Sequence, residues 1–160
     1  MTARHAITVE INGQTYRGEV EPRRLLCDFI REDLGLYGTH VGCEHGVCGA
    51  CTILWDDEPV RSCLAFAVQV DGARLSTVEG MAVSASELHP IQQAFTELHA
   101  LQCGFCTSGI LMTLQALLTR NSHPSIDEIR DGLSGNLCRC TGYQNILAAA
   151  KLAAERLVAK

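Results

Sequence analysis

The stretch GCEHGVCGAC, residues 42–51, places three cysteines and three glycines within ten residues and leaves little side-chain bulk between them. Cys43, Cys48 and Cys51 follow the spacing C-x4-C-x2-C, and Cys63 lies downstream. This is the plant-type spacing of a [2Fe-2S] cluster, for which one loop supplies three thiolates and a nearby segment supplies the fourth. Glycines let the backbone pass close to the cluster sulfides and point N–H groups at them. The stretch therefore predicts a loop that wraps an iron–sulfur cluster.

Zinc is the main alternative for any set of four cysteines. Structural zinc sites usually combine two short-spaced ligand pairs, whereas here three ligands share one glycine-rich loop and the fourth stands alone. His40 and His45 lie beside the cysteines and could be proposed as Rieske-type ligands. Because four cysteines are already available, we interpret both histidines as solvated loop residues.

A second set of four cysteines lies in the other half of the chain, in the segments QCGFC and CRC: Cys103, Cys106, Cys138 and Cys140. The combination of C-x2-C with C-x-C suits either an iron–sulfur cluster or zinc. Each pair precedes a predicted helix, and a helix N-terminus favours an anionic group such as a thiolate-ligated cluster. On spacing alone, both metals remain open for this set.

Composition and charge limit the class of protein. The 160 residues are 47% hydrophobic, carry a formal net charge of −5 and contain no basic run, so a nucleic-acid partner is not expected. We find neither a signal peptide nor an apolar stretch of membrane-spanning length, and we expect a cytoplasmic protein without a transmembrane segment. Nine cysteines in such a chain indicate metal binding rather than disulfides. The ninth, Cys27, lies among apolar residues and is interpreted as a core residue.

The first half of the chain predicts a compact α+β domain. Ile7, Val9 and Ile11 alternate with polar residues and end at Asn12–Gly13, a dipeptide typical of a tight hairpin turn. Apolar residues at helical period predict a helix over residues 25–34. Three further strands are predicted at TILW (52–55), VRSCLAFAV (60–68) and ARLSTVE (73–79).

The second half predicts four helices and no strands, which suggests a small helix bundle. The signals are an apolar face through Ile91, Phe95 and Leu98, the apolar run 109–118, a capping box at Ser125–Glu128, and the Ala- and Leu-rich run 143–158. The change of character lies near residue 80 and divides the chain into a domain of residues 1–80 and a helical domain of residues 81–160.

Three segments together resemble one family closely: GCEHGVCGAC with its downstream Cys63, QCGFCTSG, and GNLCRCTGYQNI. They resemble the iron–sulfur subunit of the molybdenum hydroxylases, the family of xanthine oxidase and carbon monoxide dehydrogenase. The resemblance spans nearly the whole chain. It implies an N-terminal β-grasp ferredoxin-like domain followed by a C-terminal four-helix bundle, with one [2Fe-2S] cluster in each. Ser108 stands where many relatives have Pro, and because either residue can start a helix we expect no structural effect.

The resemblance also assigns the two sets of ligands. It implies that the cluster nearer FAD is held by Cys43, Cys48, Cys51 and Cys63. It implies that the cluster nearer molybdenum is held by Cys103, Cys106, Cys138 and Cys140. In the family, the residue that matches Gln102 hydrogen-bonds the pterin of the molybdenum cofactor, and the last ligand, here Cys140, approaches that pterin.

The implied function is that of an electron-transfer subunit with no substrate chemistry, and hence no catalytic residue, on this chain. The molybdopterin cofactor and FAD would lie on a large and a medium partner subunit, in a heterotrimer or a dimer of heterotrimers. Because specificity resides in the molybdenum subunit, the chain is compatible with purine, N-heteroaromatic, aldehyde, acyl-CoA or carbon monoxide substrates. The alternatives are a free-standing [2Fe-2S] ferredoxin, for which the second half would be superfluous, and a zinc-stabilised interaction module.

Overall fold

The fold joins a five-stranded mixed sheet to a helical second half, in a computed structural model that describes residues 3–82, 84 and 86–159. The strands are β1 (His5–Ile11), β2 (Gln14–Val20), β3 (Thr52–Trp55), β4 (Glu58–Arg61) and β5 (Arg74–Ser76). The α-helices are α1 (Leu26–Asp28), α2 (Pro90–Glu97), α3 (Thr107–Arg120), α4 (Ile126–Gly132) and α5 (Gln144–Val158). The strand order is β2-β1-β5-β3-β4, with β5 parallel to β1 and antiparallel to β3. The predicted α+β class is confirmed.

Two tight turns set the register of the hairpins in the sheet. Asn12 and Gly13 have φ angles of 52° and 77° and join β1 to β2, as predicted. Asp56 and Asp57 join β3 to β4 with φ angles of 47° and 69°, although neither is glycine. Short polar side chains tolerate this left-handed region. The carboxylate of Asp56 also accepts a hydrogen bond from the backbone N–H of Arg74 at 3.0 Å, which ties the turn to β5.

The helix predicted over residues 25–34 is present in two parts. The short α1 continues directly into a π-helical segment, Phe29–Asp33, in which the N–H of Leu34 bonds the carbonyl of Phe29 at 3.1 Å. Gly35 follows with a φ of 72°, the left-handed conformation that ends many helices.

The strand predicted over residues 60–68 is wrong beyond Arg61. The chain turns there into a short 3-10 helix, Ser62–Leu64, because the Ser62 hydroxyl and N–H both bond the carbonyl of Cys51, at 2.8 Å and 3.3 Å. These bonds draw the chain back toward the cysteine loop. Cys63 is consequently buried beside that loop rather than placed on a strand.

The helical half has a core of its own. Each of the four helices predicted there is present, and each contributes a fully buried isoleucine: Ile91, Ile110, Ile129 and Ile146. The predicted capping box opens α4, where the hydroxyl of Ser125 and the carboxylate of Glu128 bond each other's backbone N–H groups. A separate core lies between the sheet and α1.

The two halves meet where α3 packs on β3. Leu54 of β3 forms a small buried cluster with Met112 and Ala116 of α3. This contact brings the start of α3, and with it the second set of cysteines, next to the loop that carries the first. Within the described residues, no helix is both long and apolar enough to cross a membrane.

Candidate metal centres

The loop that carries the first three cysteines curls because several of its residues adopt the left-handed conformation. Glu44, Gly46 and Gly49 have φ angles of 53°, 72° and 73°. At Gly49 a side chain is also excluded by packing, since an added Cβ would lie 2.3 Å from the Gly135 carbonyl oxygen. The predicted need for glycine in this loop is thus met by backbone angle and by space together.

Backbone N–H groups converge on the first cysteine of the loop. The N–H groups of Cys48 and His45 each lie 3.4 Å from the Cys43 sulfur. These hydrogen bonds lower the pKa of the Cys43 thiol to about 6, because they stabilise the thiolate. The thiolate is the form that binds iron, so the loop is arranged to present Cys43 as a ligand near neutral pH.

Two cysteines of the first set are shielded from solvent. Cys51 and Cys63 are buried and pack together with Cys27. Burial raises the pKa of Cys63 to about 11, with a further contribution from its hydrogen bond to Cys51. Bound metal cations deprotonate such thiols outright, so this shielded pair suits a metal-bound state.

Cys27 is a core residue, as predicted from its neighbours in sequence. Its side chain is fully buried, and burial raises the pKa of its thiol to about 12. Its proximity to Cys51 and Cys63 was not predicted. Nothing in the local sequence reports that contact, because it depends on how α1 packs against the loop.

The second set forms two pairs. The sulfurs of Cys103 and Cys140 lie 3.5 Å apart at an exposed edge, whereas Cys106 and Cys138 interact with each other against the helical core. Burial raises the pKa of Cys106 to about 12. At Cys138 burial is the largest single effect and acts in the same direction, but hydrogen bonds from Thr141, Cys140 and Cys106 together outweigh it, so the pKa is lowered. The Cys138 sulfur and the Thr141 hydroxyl are 3.1 Å apart.

The paired arrangement bears on the choice of metal. A [2Fe-2S] cluster takes two protein ligands on each of two irons, whereas a structural zinc ion needs four ligands that converge on one point. The buried pair and the exposed pair of the second set therefore fit a two-iron cluster better than a single ion.

We predicted that each short-spaced pair of the second set lies at the start of a helix. Only the pair Cys103 and Cys106 directly adjoins its helix. Cys106 is the residue directly before α3, whereas Cys138 and Cys140 are separated from α5 by an irregular turn. Ser108 is not the residue that caps α3, which begins at Thr107. It lies buried inside the first turn, and its hydroxyl is 3.5 Å from the Nδ1 atom of His40.

The interpretation of His40 as a solvated loop residue is wrong. Its ring is half-buried, stacks on Phe105 with centroids 4.9 Å apart, and has Nδ1 2.9 Å from the Phe105 carbonyl oxygen. His40 therefore bridges the two cysteine-bearing segments. His45 is exposed, as predicted, and contributes its backbone N–H rather than its ring to the site.

Gln102 lies at the exposed edge of the second set. Its side chain is exposed, as are those of Cys103 and Cys140. Within the described part of the chain the Gln102 amide makes no hydrogen bond, so it does not cap the local backbone. Arg139 is also exposed beside this edge. Gln102, Arg139 and Cys140 are therefore accessible to a neighbouring molecule.

Two family models match the chain in succession. Residues 9–76 match the 2Fe-2S iron-sulfur cluster binding domain, and residues 77–151 match the [2Fe-2S] binding domain. Each match contains one of the two sets of four cysteines.

Characterised relatives align along most of their length. Caffeine dehydrogenase subunit gamma from Pseudomonas sp. (strain CBB1) is 58% identical over 92% of this chain and 89% of the relative. The nicotine 6-hydroxylase small subunit from Paenarthrobacter nicotinovorans is 53% identical over 89% of this chain and 86% of the relative. Among solved structures, a chain of quinoline 2-oxidoreductase from Pseudomonas putida 86 superposes with a TM-score of 0.93 at 49% identity, covering 98% of this chain and 97% of that one.

Proposed function

The chain belongs to the iron–sulfur subunits of the molybdenum hydroxylases, and we propose that it carries single electrons from a molybdopterin site on one partner subunit to FAD on another. One observation carries the proposal. Two separate sets of four cysteines lie on one chain that aligns over about nine-tenths of its length with iron–sulfur subunits of such enzymes. A free-standing ferredoxin is the less supported alternative, because the helical half also matches an iron–sulfur domain and the chain aligns over 89% of its length with a subunit of a larger complex.

We propose that each half of the chain holds one cluster. The first set of ligands is Cys43, Cys48, Cys51 and Cys63, and the second is Cys103, Cys106, Cys138 and Cys140. When bound, a [2Fe-2S] cluster takes up and releases one electron at a time. The protein contributes the N–H groups that favour the Cys43 thiolate, the shielding around Cys51 and Cys63, and the exposed edge at Cys103 and Cys140.

The domain boundary is proposed near residue 80, which divides the chain into residues 1–80 and 81–160. The separate cores of the sheet and of the helices support this division. The sheet with its crossing α1 supports a β-grasp arrangement for the first domain, and the shared core of α2 to α5 supports a four-helix bundle for the second.

Exposed surface supports the proposal of large molybdopterin-binding and medium FAD-binding partners, in a heterotrimer or a dimer of heterotrimers. Tyr37, Val47 and Leu64 are each 63% exposed, and Val47 and Leu64 lie beside or within the first cysteine set. Permanent interfaces bury apolar residues of this kind. We propose a cytoplasmic location for the complex, because thiols stay reduced there and can serve as metal ligands.

The names of the relatives suggest a substrate class for the complex. Caffeine, nicotine and quinoline, which appear in the names of three of the most similar proteins, all contain a nitrogen heteroaromatic ring. We propose that the complex containing this chain oxidises an N-heteroaromatic compound at its molybdenum subunit.

Co-purification tests the assignment as a subunit. We expect an affinity-tagged copy, expressed in its native host, to bring down a molybdopterin-containing and an FAD-containing chain. The complex should oxidise an N-heteroaromatic compound such as nicotine or quinoline, and the isolated chain should oxidise none. A chain that purifies alone from its host with full iron content and reduces a soluble acceptor would favour the ferredoxin alternative instead.

Gln102 provides a sharper test at the proposed contact with the molybdenum cofactor. We expect Gln102→Ala to leave both clusters assembled and to slow their reduction by substrate about tenfold, the effect of losing one hydrogen bond of about 1.4 kcal/mol. Reduction by dithionite should be unchanged. Stopped-flow absorbance of the whole complex measures both rates, and Gln144→Ala, an exposed glutamine in α5, is the matched control. Substrate-driven reduction at the wild-type rate would remove Gln102 from the cofactor contact.

A further inference from the structure

A buried polar network joins the two cysteine-bearing loops. We name it the loop seam and define it as the hydrogen-bonded side chains and backbone of Gly49, Thr52, Arg61, Thr113, Gly135 and Asn136. At its centre, Asn136 is 1% exposed, and its Nδ2 donates to the Gly49 carbonyl at 3.1 Å. The same nitrogen lies 3.5 Å from the Thr52 hydroxyl. Oδ1 lies 2.9 Å from the Thr113 hydroxyl, whose single hydrogen it shares with the Gly109 carbonyl, also at 2.9 Å. Each polar atom of the amide therefore has a partner within the network.

Arg61 closes the network from the sheet side. Its guanidinium donates to the Thr52 hydroxyl at 2.6 Å and to the Gly135 carbonyl at 2.7 Å. The Thr52 hydroxyl in turn donates to the Gly49 carbonyl at 2.6 Å. Residues of the first loop, of β4 and of the turn before Cys138 are thus bonded to one another on both sides of Asn136.

Backbone bonds extend the seam directly to two of the cysteines. The N–H of Leu137 donates to the carbonyl of Cys48 at 2.9 Å. The N–H of Cys138 donates to the Tyr143 hydroxyl at 2.8 Å, and that hydroxyl donates to the Asn136 carbonyl at 2.9 Å. Cys48 of the first set is therefore separated from Cys138 of the second only by this hydrogen bond and by the residue Leu137.

We propose that Asn136 is a positioning residue that sets the distance and orientation of the first cysteine loop relative to the second. The role rests on the proposed function, since it matters only if the loops hold two clusters that exchange electrons. A network of directional hydrogen bonds around a buried amide favours one arrangement, because a shift of either loop would lengthen or break several of these bonds. An apolar contact at the same place would tolerate sliding, since it has no directional bonds.

Magnetic coupling between the clusters reports their separation. In the complex purified with its partner subunits and fully reduced, we expect the wild type to show splitting of its low-temperature EPR signals. Asn136→Ala should reduce or broaden that splitting while about four irons per chain are kept. Thr113→Val removes the hydroxyl that lies between Asn136 and the Gly109 carbonyl, so it should do the same to a smaller extent and serves if Asn136→Ala fails to fold.

A shortened side chain in the helical core, away from the loop seam, distinguishes a loss of loop positioning from a general loss of stability. Ile129→Val shortens a fully buried side chain of α4 and should lower the unfolding midpoint without changing the splitting. Hydrogen exchange gives a second measure: the Leu137 amide should exchange about tenfold faster in Asn136→Ala and be unchanged in Ile129→Val.

The outcomes distinguish a failure of the positioning role of Asn136 from a failure of the proposed function. Unchanged splitting in Asn136→Ala and Thr113→Val at full iron content, or unchanged exchange at the Leu137 amide, would overturn the positioning role. A wild-type complex without two iron–sulfur signals would instead overturn the proposed function. In that event the exchange measurement still decides whether Asn136 holds the two loops together.

Discussion

Cys43→Ser is expected to remove about half of the roughly four irons from each chain and to abolish the EPR signal of one cluster alone. The physical reason is that a serine hydroxyl is a poor substitute for the thiolate that the Cys48 and His45 N–H groups stabilise at this position. The second set of cysteines belongs to a half of the chain with its own core and should keep its cluster. Cys138→Ser should give the reverse pattern, with the other signal lost.

Cys27→Ala is the matched control for these substitutions. Cys27 packs against Cys51 and Cys63, so the variant perturbs the same region without removing a proposed ligand. It should keep all of the iron and both signals. Iron analysis with EPR of the dithionite-reduced complex makes the measurement. If each ligand variant lost both signals equally, or if the wild type contained stoichiometric zinc and gave no signal, the assignment of two separate [2Fe-2S] sites would be wrong.

Gly49→Ala is expected to destabilise the protein by about 4 kcal/mol or more and to reduce cluster incorporation. Gly49 has a φ of 73°, which by itself costs a side-chain-bearing residue about 1–2 kcal/mol. An added Cβ would also lie 2.3 Å from the Gly135 carbonyl oxygen and 2.7 Å from Nδ2 of Asn136. Both atoms belong to the loop seam and are held by hydrogen bonds, so neither can move away cheaply.

Gly72→Ala separates the cost of the left-handed backbone conformation from the cost of the clash with the second loop. Gly72 has a φ of 77°, but an added Cβ would meet nothing within 4 Å. The variant therefore carries the backbone strain without the clash and should lose only about 1–2 kcal/mol. The midpoint and slope of urea unfolding, measured beside the iron content, compare the two variants. Equal losses of stability in Gly49→Ala and Gly72→Ala would show that the contact with the second loop contributes nothing.

Short-range features of this protein follow from the sequence. The Asn12–Gly13 turn and the Ser125–Glu128 capping box are present as predicted, because a turn or a cap depends on residues only a few positions apart. The same holds for the first cysteine loop, whose spacing and glycines determine its curled backbone. The four helices of the second half follow from an apolar face, an apolar run, the capping box and an Ala- and Leu-rich run, all of which are signals within a few turns of chain.

Only the tertiary structure decided the features that depend on how distant segments pack. The apolar run 60–68 is strand-like by itself, yet bonds from Ser62 to Cys51 end the strand early. His40 looks like a solvated loop residue until α3 brings Phe105 against its ring, 65 residues along the chain. Asn136 meets Gly49 across 87 residues. Local propensity carries no information about such pairs, because the partners lie 11, 65 and 87 residues apart in the chain. The cysteine spacing therefore identified the two candidate metal sites, whereas the docking of α3 on β3 determined how they stand relative to each other.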